Sequence, residues 1–185
     1  DIQNSMIPTD FENFNENKRF DIWGSMEAAR EVGGDFYDYF QINEDNIGFV
    51  IGDVSGKGVT AALIMVKAMT LIQDYAKQYK DLSKVFYEVN NELCKGNAEG
   101  LFVTCWFGRL NTKTGEVTYI NAGHNPPLIK RESGFEYLNS EPDLVLAAME
   151  DMPYEEHAIQ LGHNDMIYLY TDGVTEANDN YKGFY

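Results

Sequence analysis

The stretch DFYDYFQINEDNIGFVIGDV, residues 35–54, contains the strongest fold signal in the chain. Its two halves, residues 35–42 and 47–54, are rich in aromatic and β-branched side chains, and the polar residues 43–46 separate them. Two β-prone runs joined by a short polar connection are typical of a β-hairpin. The sequence therefore predicts an antiparallel pair of strands with a carboxylate near the open end of each strand.

The register of this hairpin determines whether the two carboxylates meet. A three-residue loop pairs Ile42 with Asn46, Tyr39 with Phe49, Tyr37 with Ile51 and Asp35 with Asp53. Directly opposed like charges destabilise a sheet, whereas a divalent cation takes carboxylate oxygens as ligands. This register therefore predicts a metal site at Asp35 and Asp53. A register shifted by one residue instead leaves both as solvated residues on opposite faces, and the spacing alone does not choose between the two.

Two helices and a series of strands follow the hairpin. Residues 59–79 contain no strong helix breaker, and the apolar stretch 59–66 predicts a helix covered on more than one side. Residues 82–94 carry apolar side chains at helical spacing, which predicts a second, one-sided helix packed on the first. Period-two segments predict strands at residues 101–110, 116–122, 128–130, 157–161 and 166–171. This order indicates an α+β domain whose antiparallel sheets carry helices on an outer face.

The composition is that of one folded, acidic domain. The chain has 185 residues, of which 44% are hydrophobic, and a formal net charge of -16. This charge repels phosphate backbones and anionic lipid, which disfavours nucleic acid and membrane surfaces as partners. Cys94 and Cys105 lack CxxC spacing and are predicted to be reduced, buried thiols of a cytoplasmic protein. No apolar run of about 18 residues is evident, so no membrane span is expected.

Further candidate residues lie in turns. Asp172 follows an apolar strand and precedes a glycine, where a turn can present its carboxylate, although such turns are common without a function. His124 lies in a glycine- and proline-rich turn, where a histidine usually ties the loop by hydrogen bonds. Residues 55–58 lack the spacing of a Walker phosphate loop, and Cys105 and Arg109 are too close together for a cysteine-phosphatase loop. Covalent catalysis therefore lacks a candidate residue.

Five segments taken together resemble a known family. They are REVGGDFYD at 30–38, GDVSGKG at 52–58, FVT at 102–104, NAGHNPP at 121–127 and YTDGVTE at 170–176. This ordered set resembles the SpoIIE-like branch of the PPM (type 2C) protein serine/threonine phosphatases and is far more specific than any one segment. The resemblance implies a four-layer α-β-β-α sandwich of two antiparallel sheets flanked by helices, with a dinuclear metal centre between the sheets.

The resemblance also implies a role for each matching residue. Asp53 would bridge two Mn²⁺ or Mg²⁺ ions, the carbonyl of Val54 would help one of them, and Asp35 and Asp172 would contribute carboxylates directly or through water. A hydroxide bridging the ions would then attack the phosphate in one step. Arg30 lies five residues before Asp35, where relatives place a phosphate-binding arginine, and its guanidinium suits a bidentate phosphate contact. The implied activity is hydrolysis of a phosphoserine or phosphothreonine.

Two features depart from the family pattern. Ser55 stands where many eukaryotic relatives carry a histidine that is a candidate acid, so protonation of the leaving group has no assigned residue. The family pattern also continues beyond Tyr185 to a strand with another metal-binding aspartate. Residues 11–185 are therefore expected to be a catalytic domain that stops before its last strand, and residues 1–10 the tail of an upstream linker helix.

Members of this branch commonly act on a phosphorylated anti-anti-sigma (STAS) protein, under control of an upstream sensor or receiver domain. The resemblance implies such partners here; the charge argues against nucleic acid, the cysteines indicate the cytoplasm, and a homodimer is left open. One alternative is a noncatalytic or weakly active regulatory domain that keeps the fold and acts through protein binding. Another is a metal-dependent phosphodiesterase or nuclease, which the acidic charge disfavours.

Overall fold

Two antiparallel β-sheets form the framework of the chain. The computed structural model describes residues 7–14, 19–26, 33–175, 178–179 and 183–184. The first sheet contains β1 (Phe36–Asn43), β2 (Asn46–Val54), β3 (Val103–Asn111), β4 (Glu116–Ala122) and β7 (His157–Gln160), in the order β1-β2-β3-β4-β7. The second sheet contains β5 (Leu128–Arg131), β6 (Gly134–Tyr137) and β8 (Met166–Tyr168), in the order β6-β5-β8. Two further short strands, β9 (Asn178–Asp179) and β10 (Gly183–Phe184), pair with each other.

Two long helices cover the outer face of the first sheet. The helices are α1 (Phe11–Phe14), α2 (Val59–Gln78), α3 (Leu82–Cys94) and α4 (Asp172–Thr175), of which α2 and α3 are the long ones. Their positions confirm the two predicted helices. Asp81 caps α3 by accepting the backbone N–H of Ser83 at 2.9 Å, as expected for a carboxylate at this position. The apolar faces of α2 and α3 join the helix-facing residues of the sheet in one buried core.

The first turns of α2 differ from their prediction. Ala61 and Met65 are fully buried, but Val59 is 75% exposed and Leu63 is 64% exposed. The prediction of a stretch covered on more than one side is therefore wrong. Periodicity cannot distinguish a helix that is buried all round from one whose outer face is apolar and solvent-exposed. In this chain α2 buries a single face against the sheet.

The composition of α2 also corrects the expectation about apolar runs. By length and composition alone this helix could cross a membrane, since an 18-residue window has a mean hydropathy of 1.2. The core helix of a globular domain meets the same criterion, and the inward residues Ala68, Ile72 and Ala76 of α2 pack into the core. The hydropathy of this helix is therefore weak evidence for a membrane span.

The β1–β2 hairpin follows the predicted register except at its tip. Tyr37 pairs with Ile51 and Tyr39 with Phe49, as predicted, but the β1–β2 ladder ends at Phe36 and Gly52, so the predicted Asp35–Asp53 pair lies one step beyond it. At the tip Asn43 pairs with Asn46, so Ile42 is left out of the pairing and the predicted Ile42–Asn46 pair is wrong. The side-chain oxygen of Asn43 accepts the backbone N–H groups of Asp45 and Asn46, both at 3.1 Å. This asparagine turn closes a two-residue loop instead of the predicted three-residue loop.

The inner faces of the two sheets enclose a second core. Trp106, Val117 and Tyr119 of the first sheet are buried there and pack with Ile167 of the second sheet and with Leu169, just after β8. Two antiparallel sheets with helices on an outer face confirm the predicted α+β class. Strand β6 was not predicted, because its side chains are exposed on a short hairpin and carry no burial pattern.

An N-terminal segment packs on the edge strand β1. Ile7 is buried in the core, and the ring of Phe11 stacks on that of Tyr39 with centroids 5.1 Å apart. The Tyr37 hydroxyl donates a hydrogen bond of 3.2 Å to the carbonyl of Pro8. Residues 1–6 lie outside the described part of the chain, so the assignment of residues 1–10 to a linker helix stays a prediction.

Candidate metal centre

Three predicted carboxylates meet at one end of the space between the sheets. Asp35 directly precedes β1, Asp53 is the second-last residue of β2, and Asp172 begins the short helix α4 after β8. One carboxylate oxygen from each residue lies within 4.8 Å of the other two. Residues 137 positions apart in the sequence therefore contribute to one cluster.

A glycine allows the first of these carboxylates to approach the second strand. The carbonyl of Gly34 accepts a hydrogen bond of 3.2 Å from the N–H of Val54. A Cβ atom on Gly34 would overlap the Val54 carbonyl and would lie 2.9 Å from Asp53 Oδ1. Only a residue without a side chain fits there, so Gly34 brings Asp35 and the backbone of Val54 to the same place.

The electrostatics of the cluster reflect unbalanced negative charge. Burial, followed by the charges of Asp35 and Asp172, raises the pKa of Asp53 to about 7. Burial and then the charge of Asp172 also raise the pKa of Asp35. A hydrogen bond between Asp53 and Asp35 favours a proton on Asp53. Crowded carboxylates retain protons in this way until a cation compensates their charge.

The donor set fits a hard divalent cation. Carboxylate and carbonyl oxygens are the ligands that Mg²⁺ and Mn²⁺ prefer. The cluster supplies three carboxylates, which differ in how far they are buried. Asp35 and Asp53 are half-buried, whereas Asp172 is exposed. One side of the cluster is therefore fixed by the sheet and the other faces solvent, from which a substrate can approach.

Arg30, the predicted phosphate-binding residue, lies outside the described residues. Its role stays a prediction, as does the direct part of Val54 in metal binding. Ser55, where a histidine occurs in many relatives, binds the neighbouring strand: its Oγ accepts the N–H of Phe102 at 2.8 Å, and its N–H donates to the Phe102 carbonyl at 2.8 Å. The serine therefore fixes the chain just after Asp53.

Two threonines near the cluster were missed by sequence reasoning. Thr171 Oγ1 donates a hydrogen bond of 3.4 Å to Asp35 Oδ2, and this contact links the Asp172 segment to the start of β1. Thr104 lies directly opposite Asp53 in the β2–β3 ladder. Both belong to the segments that carried the family resemblance, and that placement was their only signal in the sequence.

His124 has no free ring nitrogen. Its side chain is 6% exposed, with Nδ1 lying 3.0 Å from Thr104 Oγ1 and Nε2 lying 3.1 Å from the Tyr170 carbonyl oxygen. Burial lowers the pKa of this imidazole. These contacts agree with the interpretation of His124 as a residue that ties the loop.

Neither cysteine belongs to the cluster. Both are free, and Cys105 is fully buried in the helix-facing core, where burial raises the pKa of its thiol. Cys94 is only half-buried, so the prediction of two buried thiols holds for one of them.

Two facing antiparallel sheets with a carboxylate cluster at their edge define the PP2C-type, or PPM, class of fold. The family model described as "Stage II sporulation protein E (SpoIIE)" matches residues 43–185, and the chain belongs to this family. Among curated proteins, it is 26% identical over 211 residues to Protein IcfG of Synechocystis sp., covering 100% of this chain and 33% of that protein. It is 29% identical over 164 residues to Phosphoserine phosphatase RsbP of Bacillus subtilis, covering 86% of this chain and 41% of that protein.

Solved structures share the fold. The RsbU and RsbW domains of Rv1364c from Mycobacterium tuberculosis match with a TM-score of 0.68 and 28% identity, over 78% of this chain and 40% of that one. The PP2C phosphatase domain of SpoIIE from Bacillus subtilis, with a fragment of its regulatory domain, matches with a TM-score of 0.69 and 19% identity, over 78% of this chain and 43% of that one. The chain thus spans less than half the length of these relatives.

Proposed function

We propose that the chain is a metal-dependent protein serine/threonine phosphatase domain that hydrolyses a phosphoserine or phosphothreonine of a regulatory protein. The observation that carries the proposal is the cluster of Asp35, Asp53 and Asp172, whose oxygens lie within 4.8 Å of one another. The relatives RsbP and RsbU of Bacillus subtilis, the second of them 28% identical over 163 residues, are phosphoserine phosphatases. PP2C-type phosphatases in general use divalent metals. Their activity is therefore the one that this cluster fits best.

In this proposal the cluster would hold two Mn²⁺ or Mg²⁺ ions. As the resemblance implies, Asp53 would bridge the ions, and the Val54 carbonyl, Asp35 and Asp172 would supply further oxygens. When bound, such ions lower the pKa of water and offset charge on the phosphoryl oxygens. No residue of the protein then needs to act as the nucleophile, which agrees with the buried position of Cys105.

The protein residues position the groups that react. The Gly34–Val54 and Ser55–Phe102 hydrogen bonds fix the backbone just after Asp53, and Thr171 orients the Asp35 carboxylate. Arg30 is proposed to bind the substrate phosphate through its guanidinium. The exposed side of Asp172 leaves room for a phosphorylated segment of another protein.

The protein substrate, the regulatory domain and the cellular location belong to the same proposal. A substrate of the anti-anti-sigma (STAS) type, an upstream sensor or receiver domain and a place in the cytoplasm are inferred from the relatives named RsbU and RsbP. Residues 11–185 are proposed to form the catalytic domain, with residues 1–10 linking it to the regulatory part of the protein. The strong negative charge agrees with a partner other than nucleic acid.

Hydrolysis of p-nitrophenyl phosphate and of a phosphorylated STAS domain, with Mn²⁺ and with EDTA, tests this function. Wild-type protein should be active only with the metal, and Asp53→Asn should lose that activity because it removes the bridging charge. Asp74→Asn, which changes an exposed carboxylate on α2, is the matched control and should remain active. Absence of Mn²⁺-dependent hydrolysis in wild-type protein, with an intact fold, would favour the noncatalytic regulatory domain.

A further inference from the structure

The His124 ring connects the two sheets next to the carboxylate cluster. It follows β4 of the first sheet and precedes β5 of the second. Its Nε2 lies 3.1 Å from the carbonyl oxygen of Tyr170, and a carbonyl can only accept a hydrogen bond, so Nε2 carries the proton. In the neutral ring Nδ1 then accepts from the hydroxyl of Thr104 at 3.0 Å. One tautomer therefore satisfies both contacts.

Each hydrogen-bond partner of the His124 ring lies close to a carboxylate of the cluster, one across the strand ladder and one along the chain. Thr104 lies opposite Asp53 in the β2–β3 ladder, and directly opposed residues of antiparallel strands share one face of the sheet. Tyr170 precedes Asp172 by two residues. The chain of contacts Thr104–His124–Tyr170 therefore runs from the strand of Asp53 to the segment that presents Asp172.

The loop holds His124 in place before any ligand binds. The Asn121 side chain accepts the His124 N–H at 2.7 Å and donates to the His124 carbonyl at 3.0 Å. Gly123 has a φ of 71°, a left-handed conformation that glycine adopts without strain, and it turns the chain into this loop. Because backbone and ring are both fixed, the ring can determine how far the Tyr170 segment lies from β3.

We infer that His124 is a positioning residue that sets the separation of Asp172 from Asp53 and thereby the affinity of the cluster for divalent metal. The inference rests on the proposed function, since it assigns His124 to the same site. The residue does not contact the substrate, because both ring nitrogens are engaged and the side chain is 6% exposed. Replacing residues that hydrogen-bond metal ligands directly typically costs about 10- to 100-fold in metal affinity or activity, and His124, which acts one contact further away, is expected at the lower end of this range.

Calorimetric titration of the whole chain with Mn²⁺ tests this inference. His124→Ala and Thr104→Val should each weaken Mn²⁺ binding about tenfold, and the double variant should be no weaker than His124→Ala, because both changes break the same chain of contacts. His124→Gln, which keeps a side-chain N–H, should recover part of the affinity. His163→Ala, at an exposed turn, is the matched control and should bind as wild type.

The dissociation constant of the folded protein separates positioning from simple stabilisation. Lower stability alone does not weaken binding to the folded population, so reduced affinity in variants that are folded at the assay temperature supports the inference. Wild-type affinity in both His124→Ala and Thr104→Val would overturn it. If His124→Ala does not fold, Thr104→Val, which keeps nearly the same volume, decides the question. A wild-type chain that binds no Mn²⁺ would instead refute the proposed function itself.

Discussion

The carbonyl oxygen of Gly34 accepts a hydrogen bond of 3.2 Å from the backbone N–H of Val54. This bond fastens the start of β1 to the end of β2 at the point where Asp35 and Asp53 meet. The contact is possible because glycine lacks a side chain: a Cβ there would lie 2.8 Å from the Val54 nitrogen and overlap its carbonyl. The geometry of the cluster therefore depends on a residue that is not itself a ligand.

Gly34→Ala should separate the two strands and damage the cluster. The clash is with backbone atoms, which cannot rotate away, so we expect a loss of about 1–3 kcal/mol in the free energy of unfolding. Mn²⁺ affinity should fall as well, because Asp35 moves with its neighbour. Urea unfolding and calorimetric titration measure the two effects. Gly162→Ala is the control, since the atom nearest to its Cβ is the flexible end of Asp165, 3.3 Å away. Equal losses in both variants would contradict the argument.

Asp53→Asn should change how the stability of the metal-free protein depends on pH. Burial and the charges of Asp35 and Asp172 raise the pKa of Asp53 to about 7, compared with about 4 in an unfolded chain. Between these values the folded protein holds a proton that the unfolded chain has lost, so the free energy of unfolding falls as the pH rises from about 4 to about 7. Asparagine does not titrate and should lack this part of the decrease.

Urea unfolding in EDTA at about pH 5 and about pH 8 measures this difference. In EDTA, Asp53→Asn should be more stable than wild type at the higher pH. When Mn²⁺ replaces EDTA, wild type should gain stability and Asp53→Asn should gain none. Asp74→Asn, on the exposed face of α2, should behave as wild type in both respects. An unchanged pH dependence in Asp53→Asn would show that the pKa of Asp53 is not raised in the folded protein.

Asp38, a carboxylate of β1 outside the cluster, should affect the pH dependence of stability without affecting metal binding. Asp38 lies between Phe36 and Phe40, whose side chains are buried in the helix-facing core. Burial raises the pKa of Asp38 to about 6, although the N–H of Tyr39 and the charge of Lys77 act in the opposite direction. The contribution of protonated Asp38 to the free energy of unfolding is fully present below about pH 4 and is lost as the pH rises through about 6.

Asp38→Asn should therefore stabilise the protein above about pH 6, by an amount on the order of 1 kcal/mol after allowance for solvent screening. The amide oxygen can still accept the Tyr39 N–H, which is 2.8 Å from Asp38 Oδ1. Mn²⁺ affinity should stay at the wild-type value, in contrast to Asp53→Asn. Thermal unfolding at two pH values and a Mn²⁺ titration check both parts, and a large loss of metal affinity would place Asp38 in the site.

The hairpin shows what the sequence could and could not reveal. Counting outward from the polar connection predicted the central pairs correctly, such as Tyr37 with Ile51, although a one-residue slip, which would exchange the two faces of each strand, was left open. The tip was mispredicted because the Asn43 side chain accepts hydrogen bonds from the turn backbone, and strand periodicity contains no information about such contacts.

The site was predictable in part for a similar reason. Asp35 and Asp53 lie on one hairpin, so local register offered their meeting as one of two arrangements, and the ordered family motifs favoured it. Asp172 lies in the segment that follows the second sheet, and only the ordered family motifs connected it with the other two. The contacts of His124 with Thr104 and Tyr170 depend on how three separate segments pack, and no local pattern contains that information.

The exposure of the outer face of α2, which was mispredicted from the sequence, can be tested by two substitutions. Met65 is fully buried, whereas Leu63, two residues earlier on the same helix, is 64% exposed. Met65→Ala should cost about 2–5 kcal/mol in the free energy of unfolding, because it removes packed atoms and leaves a cavity. Leu63→Ala should stay within about 0.5 kcal/mol of wild type.

Alanine is a good helix former at both positions, so the comparison isolates burial from helix propensity. Urea unfolding of the two variants measures the difference, and equal, large losses would show that the outer face of α2 is covered in solution, as its apolar composition had predicted.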